Sequence, residues 1–191
     1  QTVTGSDDFI SGDIIEENRG ELFISLNQNG LNRETEIYFI ENTTDGSDPA
    51  YDSRTFPMGD NNTSIYTRLV QDDEGVNLAI QSLAYSEMWD KIIPVGINAI
   101  GGEEIRINVS HSTTPADLNI YLEDAFEGTM TDLKAGDYVI TPTTDLSGVG
   151  RFFIHMSADT MSNEEVSTSM LNAYKEVDAS YITIEGLATQ T

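Results

Sequence analysis

The sequence predicts an all-β domain, an antiparallel β-sandwich of the jelly-roll or immunoglobulin-like kind, and three observations carry that expectation. Short runs alternate apolar and polar residues with a period of two. The runs are rich in Ile, Val, Tyr and Phe, whose branched or flat side chains suit a pleated face. Clusters of Gly, Asp, Asn, Ser and Pro separate them, and no amphipathic run of helical length lies between.

Eight strands follow in order. "ELFISL" (21 to 26) and "TEIYFI" (35 to 40) alternate cleanly, as do "SIYTRLV" (64 to 70) and "NLAIQSL" (77 to 83). "QDDEG" (71 to 75), between the last two, reads as a hairpin tip, and "AIGGEE" (99 to 104) as a flexible corner. "EIRINVS" (104 to 110), "LNIYLED" (118 to 124), "GDYVITP" (136 to 142) and "RFFIHMS" (151 to 157) complete the set. After Ser157 the character changes. The polar stretch "SADTMSNEEVSTSMLNAYKEVDAS" holds at most a helical turn around Asn163 to Val166 before one more strand, "YITIEGL" (181 to 187). The expected organisation is a sandwich over 1 to 157, then a linker and the first strand of another module over 158 to 191.

At 191 residues the chain suits one main domain with a substantial core. Thirty-three acidic against nine basic side chains give a formal net charge of −24, so the surface repels phosphate backbones and anionic lipid. That argues against nucleic acid and membrane insertion as partners. With 38% hydrophobic residues the chain is no disordered acidic tail. Its charge is best tolerated where salt or divalent ions screen it. The absence of cysteine removes disulfides and thiolate metal sites, and no stretch approaches the roughly 18 apolar residues of a membrane span. The ends, Gln1 and "LATQT", suggest a segment of something longer.

Five stretches occur in the order of a known pattern: "TTDGSDPAYD", "VNLAIQSL", "IIPVGINA", "NIYLEDAFEGTMTDLKAGDYVITP" and "GVGRFFIHMS". In these the sequence resembles a β-sandwich module of large exported proteins of Bacteroidota, found just before the C-terminal sorting domain of the type IX secretion system. "LNAYKEVDASYITIEGL" resembles the linker and opening strand of that sorting domain. The family's "PLGF" stands here as "PVGI", Pro94 to Ile97, and only one strand of the sorting domain is present. The resemblance implies a secreted or cell-surface location and contact with the type IX machinery during export.

Three groups of residues invite a functional reading. In Thr43 to Asp52, Asp45, Asp48 and Asp52 could supply carboxylates to a calcium ion, with Gly46 allowing a tight backbone. The spacing does not match the helix-loop-helix calcium loop, and the same residues also fit an Asx-rich turn fixed by Pro49. In "AYSEMWDKIIP", Tyr85, Trp89 and Asp90 could form a carbohydrate platform, aromatic rings stacking on a sugar and a carboxylate taking its hydroxyls. They also fit a cap over one end of the core. "DTM" (159 to 161) resembles the O-glycosylation signal of Bacteroidota, with Thr160 as acceptor.

No catalytic constellation emerges. Glu123 and Asp124 are expected to pair with Lys134 or Arg151, since nothing singles out two differently tuned carboxylates around a sugar-sized cleft. His111 and His155 have no partner at zinc-ligand spacing, and G-x-S-x-G and phosphate-loop motifs are absent. The sequence therefore points to a non-catalytic spacer or adhesion module of a secreted protein. A carbohydrate-binding module of a larger polysaccharide-active protein is the alternative.

Overall fold

The computed structural model describes residues 19–56 and 63–158, together with the backbone of 172–174 and 183–185. The chain folds from strands and turns. In order these are β1 (Arg19–Gln28), β2 (Leu31–Ile40), β3 (Ser53–Arg54), β4 (Ser64–Thr67), β5 (Leu78–Ala84), β6 (Asp90–Asn98), β7 (Ile105–Ser112), β8 (Asn119–Asp124), β9 (Thr129–Asp132), β10 (Tyr138–Ile140) and β11 (Phe152–Ser157). A 3-10 turn, Tyr85–Glu87, joins β5 to β6. Two short strands, β12 (Asn172–Tyr174) and β13 (Thr183–Glu185), pair antiparallel with each other.

The first eleven strands form one continuous sheet in the order β10-β7-β1-β2-β5-β4-β6-β11-β8-β9, with β3 alongside β5. The sheet is mixed and coils into a nearly closed, barrel-like body. This corrects the expectation of purely antiparallel pairing. β2 and β5 run parallel, Glu36 opposite Ile80 through Ile40 opposite Ala84, because the chain between them makes a crossover rather than a tight hairpin. The rest is antiparallel. β1 and β2 pair over ten residues around a two-residue turn in which Asn29 and Gly30 both take positive φ, the geometry that matches the strand twist.

Alternation decides what fills the interior. Leu22, Ile24 and Leu26 of β1, Ile37 and Phe39 of β2, Ile93, Val95 and Ile97 of β6, and Phe152, Ile154 and Met156 of β11 all lie in one buried cluster. Their odd-even partners face outward. On β8 and β11, however, the outward residues Tyr121, Glu123, Phe153 and His155 are buried as well, so these two strands are shielded on both faces.

β6 is a central strand that alternation alone does not flag, because Pro94 and Gly96 interrupt it. The structure accommodates both. Pro94 lies just past the last β4–β6 pair, Thr67 opposite Val95, where its carbonyl accepts from Arg68 N at 3.1 Å. The return bond that a proline nitrogen cannot give is replaced: Gln81 Nε2 donates to the Arg68 carbonyl at 3.0 Å. Gly96 faces Tyr66 across the pair, and a Cβ there would come within 2.1 Å of the tyrosine ring. The ring fills the space the glycine leaves.

β4 is shorter than expected, ending at Thr67, while β3 and β9 were not anticipated. The "QDDEG" tip does turn back, with Asp72 and Gly75 at positive φ and Gly75 N bonded to the Asp73 carboxylate. The expected helical turn at 163 to 166 lies outside the described residues, and of 181 to 187 the strand covers Thr183–Glu185.

Candidate functional site

The acidic loop and the tryptophan segment, 46 residues apart in sequence at Asp45 and Lys91, meet at one end of the barrel. The end of β5 and the start of β6 position them. β5 leads into the Tyr85–Glu87 turn, which places Glu87, Trp89 and Lys91 beside the loop that follows β2. Lys91 has the inward parity of Ile93 and is 5% exposed. Its Nζ donates to both Asp45 oxygens, at 2.7 and 2.6 Å, and to Glu87 Oε2 at 2.9 Å. Burial pushes the ammonium's pKa down, but hydrogen bonds and attraction from Asp45 and Glu87 outweigh it and the net direction is up. Glu87 is held below the usual carboxylate range by its hydrogen bond to Lys91.

The other two aspartates shape the loop itself. Asp48 Oδ2 accepts from Thr44 N at 2.7 Å and from Thr44 Oγ1 at 3.1 Å. Asp52 Oδ2 accepts from Asp48 N at 2.7 Å, and its Oδ1 accepts from Ser82 N and Oγ, both at 2.8 Å, tying the loop to β5. Gln71 N donates to the Asp45 carbonyl at 2.9 Å, bringing the 71 to 75 tip against the same loop. Asp45, Asp48 and Asp52 thus point to three different sets of donors rather than to a common centre. Among the described residues no three His, Cys, Asp or Glu side chains gather as a metal-binding group. The positive charge at this loop is an ammonium from the chain's own Lys91.

An open depression of about 290 Å³ lies beside this ion pair, lined by Ser86, Glu87, Trp89, Asp90 and Lys91. Trp89 and Asp90 of the proposed carbohydrate platform line it, while Tyr85 does not. Tyr85 and Trp89 are half-buried against the core, so Trp89 serves both the wall of the depression and the packing beneath it. Thr160 lies outside the described residues.

A second polar centre sits where the sheet's two ends approach. Asp124, at the end of β8, is fully buried. It accepts from Arg151 Nε and Nη2 at 2.9 and 2.7 Å, from Tyr138 OH at 2.5 Å, and from the amides of Phe126 and Glu127 at 3.0 and 3.2 Å. Arg151 stacks between the rings of Phe126 and Phe152, 4.8 and 5.1 Å from their centroids. Burial, then the Asp124 hydrogen bond, push the Tyr138 phenol above its ordinary range. Of the expected Glu123 and Asp124 pairings, Asp124 with Arg151 is formed; Lys134 instead donates to the carbonyls of Pro115 and Ala116.

Glu123 has a different partner. His155 Nε2 lies 2.6 Å from Glu123 Oε2, both side chains buried on the outward face of β8 and β11. Glu123 Oε1 is buried with no hydrogen-bond partner among the described residues. Reading the two strands separately hides this pair, which appears only from the register that sets Phe153 opposite Glu123 and His155 opposite Tyr121. His111 is exposed, paired with Glu21 at 3.0 Å and tilted against Phe23.

Fold and site together define an all-β domain whose buried ionisable groups are paired within a filled barrel. A family described as Domain of unknown function (DUF8693) matches residues 10–156. The chain belongs to that family, and the matched segment contains every residue of the two polar centres. No curated protein and no solved structure matches the chain. Among the described residues no helix is long and apolar enough to cross a membrane.

Proposed function

We propose that the domain is a non-catalytic surface module, a spacer or adhesion element of a secreted protein exported by the type IX route. One observation carries the non-catalytic part. The buried ionisable groups are committed to one another: Lys91 to Asp45 and Glu87, Asp124 to Arg151 and Tyr138, and Glu123 to His155. A catalytic acid or base must present a proton or lone pair to a substrate within hydrogen-bond reach. Here those atoms, Glu123 Oε1 apart, are bonded to one another and hold strands and loops together. The export route is supported by the five stretches in family order, from "TTDGSDPAYD" to "GVGRFFIHMS". Fractionation of the native producer tests it: the chain is expected at the cell surface or in the medium, and retention in the cytosol overturns the reading.

A second reading rests on the depression. Trp89 and Asp90 line it together with Ser86, Glu87 and Lys91, a mixture of ring face, hydroxyl and charge that suits sugar hydroxyls. Titration with plant and marine polysaccharides while following Trp89 fluorescence is the test. A saturable change abolished by Trp89→Ala supports carbohydrate binding, and silence across the panel removes it.

A further inference from the structure

We propose that β10 is a strap across the seam of the barrel, latched by Asp124, and that it opens as a local unit while the rest of the sheet stays folded. The two ends of the sheet are β10 and β9, and no strand pairing joins them. β10 pairs on one side alone, with β7, over three residues: Tyr138 opposite Ile107, Val139 opposite Arg106 and Ile140 opposite Ile105. Its other side is held by side chains. Tyr138 reaches inward to Asp124 through its hydroxyl at 2.5 Å and to Phe152 through its ring, centroids 6.1 Å apart at 69°. Asp124 is kept ready for that bond by Arg151 and the two amides of the following turn, all donors fixed on the far side of the seam.

The asymmetry makes the strap separable. β7 is anchored to β1 over seven paired residues and β11 to β6 and β8 over six each, so both walls of the seam are independent of β10. Beyond the strap the chain is re-anchored by the Ala99–Leu146 bridge, with bonds of 3.1 and 2.8 Å. After Ile140 the chain is also held by the bonds from Gly102 N to the Pro142 carbonyl at 2.7 Å and from Gly101 N to Asp145 Oδ1 at 2.8 Å, so the separable part is Tyr138–Ile140, kept shut by three ladder positions and one latch. Elements with few pairings of their own open at lower free energy than the strands they cover. Opening would uncover the edge of β7 and the rings of Tyr138 and Phe152. The inference does not depend on the surface-module reading.

Native-state hydrogen exchange on Tyr138→Phe tests it, because this variant keeps the ring and leaves Asp124 satisfied by Arg151. Exchange at Tyr138–Ile140 and the facing Ile105–Ile107 amides is expected to rise about tenfold to a hundredfold, the factor for one hydrogen bond to a charged group. Protection of Ile92–Ile97 and Phe152–Met156 is expected to stay at the wild-type level. Asp124→Asn should raise exchange in β10 likewise and add losses at the Phe126 and Glu127 amides that the same carboxylate holds; should it fail to fold, Tyr138→Phe carries the test. Unchanged protection in β10, or an equal loss in every strand, overturns the strap.

Discussion

Replacing Lys91 with Met removes the ammonium that joins the acidic loop to the barrel while keeping an apolar stem of similar length. The wild-type contacts set the magnitude. The Asp45 contact is charge-assisted and shielded, Lys91 and Asp45 side chains being 6% and 18% exposed, and such a bond contributes about 1.5–3 kcal/mol. The Glu87 contact adds little, since that carboxylate is largely in water and exposed pairs are worth about 0–1 kcal/mol. Lys91→Met should therefore destabilise by about 2 kcal/mol, a fall in Tm of about 4–8 °C for a domain of this size. Thermal unfolding followed by circular dichroism measures it. Asp45→Asn and the double variant complete a cycle whose coupling should be about 1–2 kcal/mol. The sign with pH is also fixed. The folded-state pKa of Lys91 is raised, so its contribution is complete below the ordinary lysine value and fades as alkaline pH rises through the raised one. A drop in Tm under about 1 °C, or zero coupling, would refute the claim that this ammonium balances the loop.

Four further outcomes follow from named contacts. Millimolar calcium should raise the wild-type Tm no more than the same concentration of magnesium, because Asp45, Asp48 and Asp52 already have separate donors; a rise specific to calcium and absent in Asp48→Asn would place calcium in the loop. Gly96→Ala should cost about 1–3 kcal/mol by forcing its Cβ into the Tyr66 ring, and the same substitution made in a Tyr66→Ala background should cost less, as read from urea midpoints. Asp52→Ala removes the acceptor for Ser82 N, Ser82 Oγ and Asp48 N, so limited proteolysis should cut the 43 to 52 loop well before the barrel; simultaneous cleavage throughout counts against its local role. The Tyr38 phenol, pushed up to about 12 by burial and by its hydrogen bond to Glu36, should show phenolate absorbance only near that pH in wild type and at lower pH in Glu36→Gln.

Most strands were legible because their pattern depends on one local rule. "ELFISL", "TEIYFI", "LNIYLED" and "RFFIHMS" alternate so regularly that the core faces of β1, β2, β8 and β11 can be read from the sequence. What stayed hidden depends on partners far along the chain. "DKIIPVGIN" looks unlike a central strand until Gln81 is seen to satisfy the carbonyl that Pro94 leaves open and Tyr66 to cover Gly96. The parallel β2–β5 pair is equally silent, since "TEIYFI" and "NLAIQSL" carry the same period whichever way they run. Direction is a property of the crossover between them, and a crossover leaves no period.

The site follows the same division. Three aspartates in ten residues are visible at once, and their type says only that cations or amides will be drawn to them. Asp48 and Asp52 draw backbone amides, while Asp45 draws Lys91, a residue that in sequence belongs to the tryptophan segment and reads as one of nine scattered basic side chains. In a chain with 33 carboxylates each buried cation is scarce, so its placement carries more information than that of any acid. Lys91 goes to the loop after β2, which no ladder joins to β6, and Arg151 goes to Asp124 at the end of the β8–β11 ladder. The acidic excess is thus compatible with a stable barrel for a definite reason. The carboxylates shielded from water at these two junctions have partners, while among the described residues most of the rest stand at the surface, where solvent and salt screen them.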